Sequence, residues 1–269
     1  MTDKQIKGRV LIIAGSDSGG GAGIQADIKT VTALGGFAMT AVTAITVQNT
    51  RGVTAIHPIP PDIIRGQIDA VMSDLGADVW KIGMLGTAET ARLVARAHAE
   101  AGGGVPVVLD PVMIAKGGAA LLDADAMDAL RAMLPMAAVV TPNAPEAAAL
   151  VGFEVTNAVE QERAGRALVE RGAQSALVKG GHIEGDVIRD VLVTAGGVAT
   201  FEGPRIATSA THGTGCTLAS AIATGLAQGL ALEDAVARAR RYLVRAIEAA
   251  PGYGQGHGPL GHGWPFQPV

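Results

Sequence analysis

The sequence predicts an α/β fold built on a mostly parallel sheet, and three observations carry that expectation. Short β-branched apolar runs alternate with stretches of helical periodicity, the pattern of strands joined by crossover helices. Glycine, with 37 copies in 269 residues, is about twice its usual share of roughly 7%, as tight turns and close backbone approaches require. Apolar residues make up 48% of the chain and charged ones 17%, enough to bury a core and too few charges for a disordered chain.

In chain order, Val10 to Ala14, Met39 to Val47, Val79 to Ile82, Val105 to Asp110, Ala137 to Thr141 and Ala176 to Lys179 read as strands. Between them, Ile64, Ile68 and Val71 share one helical face, as do Ala164, Ala167 and Leu168. Gly185 to Gly203 holds two extended runs around Ala195-Gly196-Gly197, which predicts a hairpin appended to the sheet. Gly213 to Leu232 carries no charge, and its Leu218, Ile222, Leu226 and Leu230 recur every four residues, as on a buried helix with one apolar stripe. A last helix places Val236, Leu243 and Ile247 on one face, with Arg238, Arg240, Arg241 and Arg245 read as its solvated side. No repeat or long linker interrupts the chain, so one domain over 1–269 is expected. Its Gly-, Pro- and His-rich tail from Pro251 reads as an irregular closing segment.

Composition excludes several classes of function. The net charge of -4 offers no global attraction to nucleic acid or an anionic membrane. The single cysteine, Cys216, cannot form an internal disulfide or a multi-cysteine metal site, which fits a reducing cytoplasm. Val10 to Ala14 is too short an apolar run for a signal-peptide core or a membrane span. The expected location is therefore cytoplasmic, with no membrane or nucleic-acid partner.

Chemistry-bearing residues gather where strands end and helices begin, the place where open parallel sheets bind ligands. The first cluster is Gly15-Ser16-Asp17-Ser18-Gly19-Gly20-Gly21-Ala22-Gly23. A dinucleotide fingerprint fits it poorly, because no acidic residue between Asp27 and Asp62 could hold a ribose hydroxyl. A Walker-type loop fails, since Gly-Lys occurs nowhere. Asp17-Ser18-Gly19-Gly20 resembles a serine-protease nucleophile segment, yet the first histidine is His57, which makes the chymotrypsin order impossible. There remains a glycine loop that lets backbone approach a small ligand, with Asp27 about one turn into the next helix; a turn with no ligand is the alternative.

The second cluster, Thr211-His212-Gly213-Thr214-Gly215-Cys216, opens the uncharged helix. Free N–H groups and the positive end of the dipole would make an anion hole there. The same terminus would favour a Cys216 thiolate, as base or nucleophile, unless the cysteine is simply a small buried residue. In the third cluster, Thr141-Pro142-Asn143-Ala144-Pro145-Glu146, Asn143 and Glu146 could orient waters on Mg²⁺, or could be a helix N-cap and its capping-box acid. Asp110 ends another strand. Lys179 ends a third, where it could neutralise transferring phosphate oxygens.

Taken together, GSDSGGGAGIQADIKT, QNT, KIGML, LDPVMIAKGG, TPNAPEAAAL, VKGGH and THGTGCTLASA, in that order, resemble the hydroxymethylpyrimidine/phosphomethylpyrimidine kinases of thiamine biosynthesis. The resemblance runs from about Arg9 to about Ala250 and implies a ribokinase-like three-layer αβα sandwich. It implies transfer of the ATP γ-phosphoryl group to 4-amino-5-hydroxymethyl-2-methylpyrimidine and then to its monophosphate, with Mg²⁺ as cofactor and a homodimer as the assembly. By the same resemblance, Gly15, Asp27, Gln48, Met84 and Val112 line the pyrimidine. Asn143, Glu146 and Asp110 serve metal and phosphate, Lys179 contacts phosphate, and Gly213, Thr214, Gly215 and Cys216 form the catalytic anion hole. A pyridoxal/pyridoxine kinase of the same fold and a non-catalytic pyrimidine-binding protein are the alternatives.

Overall fold

The computed structural model describes residues 7–113 and 125–266. Ile114 to Gly118 of the LDPVMIAKGG segment, and both extreme ends of the chain, lie outside the described residues. Among those residues the strands are β1 (Arg9–Asp17), β2 (Phe37–Asn49), β3 (Gly52–Pro58), β4 (Val79–Ile82), β5 (Val107–Leu109), β6 (Ala137–Val140), β7 (Ser175–Val178), β8 (Val187–Thr194) and β9 (Gly197–Pro204). The helices are α1 (Gly23–Ala33), α2 (Pro61–Asp74), α3 (Ala88–Ala101), α4 (Ala126–Arg131), α5 (Ala144–Val151), α6 (Ala158–Glu170), α7 (Thr214–Ala227) and α8 (Leu232–Glu248).

The strands form one sheet in the order β3-β2-β1-β4-β5-β6-β7-β8-β9. The six from β2 to β7 are parallel, while β3, β8 and β9 run antiparallel at the two edges. The chain winds outward from β1 to β2 and then returns to place β4 on the other side of β1. The β1/β4 junction is thus the topological switch point, where a crevice opens at the carboxyl ends of the strands.

Both faces of the central strands are buried, so their sequences are continuous apolar runs rather than alternating ones. In β1, Leu11 and Ile13 enter the core under α2 to α6, whereas Val10, Ile12 and Ala14 enter the core under α1, α7 and α8. All five are essentially inaccessible, and each large one contributes about 1.5–3 kcal/mol on leaving water. Helices therefore cover both sides of the sheet, as the three-layer αβα expectation requires. The hairpin appended to the sheet is β8–β9, turning at Ala195-Gly196.

The sequence pattern misses β3, α3 and the short α4. Strand β3 is an edge strand with most side chains in solvent, so no apolar alternation marks it. Helix α3 buries Ala91 and Ala97 beside Leu93 and Val94, and alanine contributes little to a periodic signal. Its start is nonetheless legible at Thr87, whose hydroxyl accepts from the Thr90 amide at 3.1 Å.

Two expectations on the last helices are corrected. Helix α7 ends at Ala227, so Leu230 lies past its stripe. Arg240 is not on a solvated face either, because its Nε pairs with buried Asp190 at 2.9 Å. Asp190 also accepts from the Gly180 amide at 2.8 Å, which fixes the turn after β7. No described helix is long and apolar enough to cross a membrane.

The tail is irregular but packed. His257 N donates to the Thr50 carbonyl at 2.8 Å, and His212 N donates to the Gly258 carbonyl at 3.1 Å. Leu260 and His262 are buried, and Tyr242 Oη donates to the His262 carbonyl at 2.8 Å. The closing segment thereby holds the β2–β3 turn against the start of α7.

Candidate active site

Nearly every residue singled out in the sequence falls along the carboxyl edge of the sheet. Gly15 ends the unbroken buried run of β1 against Met84, whose sulfur would lie 3.0 Å from a Cβ at Gly15. Gln48 comes from the end of β2, and Val112 follows β5. Asp110 and Lys179 close β5 and β7, and their side chains meet at 3.0 Å. Thr141 Oγ1 donates to the same Asp110 Oδ1 at 3.2 Å.

Two helix starts face each other across this edge. A Cβ at Gly213 would stand 1.9 Å from the Gly21 carbonyl, and its φ of +82° suits glycine alone. Gly23 likewise has φ +53°, with the Gly15 carbonyl 2.3 Å from where a Cβ would be. These glycines let the segment that leads into α1 and the start of α7 approach closely, and free N–H groups at a helix start favour an anion. Gly215 stands beside the ion pair, since its notional Cβ lies 3.4 Å from Lys179 Nζ and 3.6 Å from Asp110 Oδ2. The Thr214 hydroxyl turns back to the Thr211 carbonyl at 3.2 Å, and the Thr214 amide makes a longer contact of 3.5 Å to the same oxygen.

Asn143 and Glu146 form a complete capping box at the start of α5. Asn143 Oδ1 accepts from Glu146 N at 2.9 Å, and Glu146 Oε2 accepts from Asn143 N at 2.8 Å. Glu146 nevertheless belongs to the charged cluster. Burial pushes its carboxyl up to about 7, with Lys179 pulling it down and Asp110 pushing it further up.

Two expectations are revised. Asp27 does not offer its carboxylate to a ligand edge, because it is fully buried with both oxygens engaged. Lys81 Nζ donates to Oδ2 at 3.0 Å and Ser220 Oγ to Oδ1 at 2.7 Å. Cys216 is part-exposed and does sit at the α7 start, but its surroundings favour the thiol over the expected thiolate. Burial pushes it up to about 12; Lys81 and the Gly23 amide pull it down, while Asp27 and Asp110 push it up. The dipole of one helix end is outweighed by desolvation and two carboxylates.

Lys81, Asp17 and His212 lie inside the quoted motifs without an assigned role there, and the structure ties all three to this edge of the sheet. Lys81 is fully buried in β4, and its ammonium is held charged against burial by the carboxylates of Asp27 and Asp110. A lysine inside Val79-Trp80-Lys81-Ile82 was the available signal, since lysine is almost never buried without a partner. Asp17 accepts from the Gly19, Gly21 and Ala22 amides at 2.7, 3.0 and 2.8 Å and pairs with His212 Nε2 at 2.8 Å. Burial alone would raise its pKa; the His212 and backbone hydrogen bonds hold it below the usual carboxylate value. Asp17 thus builds the glycine turn and ties it to the anion hole.

The model of the family described as phosphomethylpyrimidine kinase matches residues 17–261. The chain belongs to that family. A hydroxymethylpyrimidine/phosphomethylpyrimidine kinase of Haemophilus influenzae is 47% identical over 263 residues, covering 96% of this chain and 97% of the relative. The thiamine biosynthesis bifunctional protein ThiED of Geobacter sulfurreducens is 51% identical over 95% of this chain, which spans 52% of that longer protein. Among solved structures, a phosphomethylpyrimidine kinase from Clostridium difficile superposes with a TM-score of 0.80 at 38% identity, covering 90% of this chain and all of the other. The Bacillus subtilis pyridoxal kinase in its ADP complex gives 0.88 at 35% identity, with 96% and 98% covered. Its likeness in fold exceeds that of the pyrimidine kinase, whereas its identity is lower. The fold is therefore the ribokinase-like α/β architecture shared by these kinases, and the chain is a phosphotransferase of the thiamine-biosynthetic kind.

Proposed function

We propose that the protein, as one domain, transfers the γ-phosphoryl group of ATP to the hydroxymethyl group of 4-amino-5-hydroxymethyl-2-methylpyrimidine, and then a second phosphoryl group to the monophosphate. The observation that carries this reading is the convergence of Lys179, Asp110, Glu146 and the paired α1 and α7 starts on one point of the sheet edge. Phosphoryl transfer asks for positioning and charge neutralisation rather than covalent chemistry. Lys179 and the Gly213, Thr214 and Gly215 amides would stabilise charge on the moving group, while Gly15, Gln48, Met84 and Val112 hold the flat ring at the β1/β4 switch point.

The donor set fits Mg²⁺, which keeps most of its waters and takes few protein ligands. No cluster of three or more metal-binding side chains occurs among the described residues. Asp110 and Glu146 would hold the ion, Asn143 would support Glu146 through the capping box, and the ion would neutralise phosphate oxygens. Cys216, as a thiol, would sit beside the acceptor hydroxyl and orient it as a hydrogen-bond donor, and the hydroxyl proton would pass late in the dissociative transfer to an oxygen of the transferred phosphoryl group. A cytoplasmic homodimer completes the reading. Ile45 and Val47, exposed on one face of β2, support a self-association surface there.

The pyridoxal kinase reading is the runner-up, because pyridoxine is also a flat heteroaromatic bearing a hydroxymethyl group. Parallel assays with Mg-ATP and the pyrimidine alcohol, its monophosphate and pyridoxine decide between them. Both pyrimidines should be phosphorylated, with pyridoxine the poorer substrate. Efficient turnover of pyridoxine with no pyrimidine product would overturn the reading, and no product from any of the three would favour a binding protein.

A further inference from the structure

Gln48 sits in a hydrogen-bond chain whose donors and acceptors can be counted. Thr46 Oγ1, which is buried, lies 3.0 Å from the Ser16 carbonyl oxygen and 2.9 Å from Gln48 Oε1. At the other end, Gln48 Nε2 lies 3.4 Å from His212 Nε2, which is itself 2.8 Å from Asp17 Oδ2. A hydroxyl has one hydrogen, so Thr46 cannot donate to both oxygens. The Asp17 carboxylate only accepts, so His212 Nε2 carries a proton aimed at Asp17 and has no lone pair for an amide donor. With its oxygen toward Thr46, Gln48 meets a conflict at each end.

Turning the amide through 180° removes both conflicts, and it is by such a network that amide oxygen and nitrogen are told apart. The Gln48 NH₂ group then donates to Thr46 Oγ1, whose own hydrogen goes to the Ser16 carbonyl. The Gln48 oxygen lies on the His212 side, where the nearest group is a donor. The main chain of Gln48 is pinned as well, since its N–H donates to Ser18 Oγ at 2.9 Å and its carbonyl accepts from the same hydroxyl at 2.9 Å. What remains open is one edge of a rigid amide, with an acceptor on one side and a donor on the other.

We propose that Thr46 is a positioning residue that sets substrate specificity. Acting through Gln48, it fixes an acceptor–donor edge that matches the amine and adjacent ring nitrogen of a 4-aminopyrimidine and mismatches a 4-oxo analogue. The inference rests on the pyrimidine reading of the Gln48 edge given above. In the 4-oxo ring the exocyclic group accepts and the ring nitrogen donates, so both hydrogen bonds are reversed. A site built for one hydrogen-bond pattern rejects its inverse because buried polar groups are left unpaired.

The test compares kcat/KM for the 4-amino alcohol and its 4-oxo analogue in wild-type, Thr46→Val and Thr46→Ser enzymes. Wild type should prefer the amine by about 100-fold or more. Thr46→Val keeps the shape and removes the hydroxyl, which frees the amide to turn; the preference should fall by roughly tenfold or more, mainly through KM. Thr46→Ser should restore it. A Thr46→Val enzyme with unchanged preference would overturn the proposal. If that variant does not fold, wild-type protein labelled with ¹⁵N gives a second reading: one Gln48 side-chain N–H should be protected from exchange, and two freely exchanging protons would overturn it. Failure of the wild-type enzyme to phosphorylate the 4-amino alcohol would overturn the functional reading itself, an outcome distinct from loss of the Thr46 effect alone.

Discussion

Replacing Lys81 with methionine should destabilise the protein by about 3–5 kcal/mol at pH 7, the usual cost of stranding one partner of a buried ion pair. Lys81 and Asp27 are both wholly inaccessible and meet at 3.0 Å, so no water can take over from the missing ammonium. Asp27 would keep only the Ser220 hydroxyl at 2.7 Å. The loss should shrink as pH falls, because the stranded carboxyl can then take up a proton and become neutral. Adding Asp27→Asn should recover part of the stability, with the two substitutions coupled by about 0.5–3 kcal/mol as expected for residues in contact. Urea denaturation of the four proteins at pH 7 and pH 5 measures all of this. A Lys81→Met protein within about 1 kcal/mol of wild type would mean that the pair is not a buried charge pair.

Lys179→Ala should lower kcat by about 100-fold or more, the range for losing one preorganised contact to developing charge, or some 2.7–4 kcal/mol. Binding of the pyrimidine alcohol should change far less, because the ring site proposed above is at the β1/β4 junction, whereas Lys179 stands at the end of β7. Lys179 is largely buried and anchored to Asp110, while the Asp190–Arg240 pair fixes the turn that follows it. Its ammonium is therefore held in place before substrate arrives. Steady-state kinetics beside equilibrium binding separates the two quantities. Equal losses in binding and turnover would make Lys179 a general binding contact, and near wild-type turnover would remove it from the reaction.

Much of this molecule is legible in its sequence, and the illegible parts have physical causes. The parallel strands announce themselves because burial on both faces demands unbroken apolar runs, and the β8–β9 hairpin because its turn needs Gly196 and Gly197. Strand β3 stays hidden since solvent on both sides imposes no pattern. The motifs put Gly15, Asp110, Asn143, Glu146, Lys179 and Gly213 to Cys216 at strand ends and helix starts, where the structure has them along one edge of the sheet, but they do not say which groups would face a ligand. Asp27 reads as a carboxylate one turn into a helix, yet its position under α7 turns it inward to Lys81 and Ser220. Asn143 and Glu146 read both as a cap and as a phosphate-site pair; the cap is present, and Glu146 faces Lys179 besides. The thiol of Cys216 is set by desolvation and by Asp27 and Asp110, which come from distant parts of the chain. No local spacing carries that information.

The central claim is that one site phosphorylates the pyrimidine twice, and ³¹P NMR of a single reaction tests it most directly. Wild-type enzyme with excess Mg-ATP and the pyrimidine alcohol should give the monophosphate first and the diphosphate after it, with two ADP formed per pyrimidine. In Lys179→Ala both phosphorylations should slow together, because the same ammonium serves both. ADP formed without any phosphorylated pyrimidine, or a second phosphorylation that proceeds at full rate when the first is crippled, would contradict it.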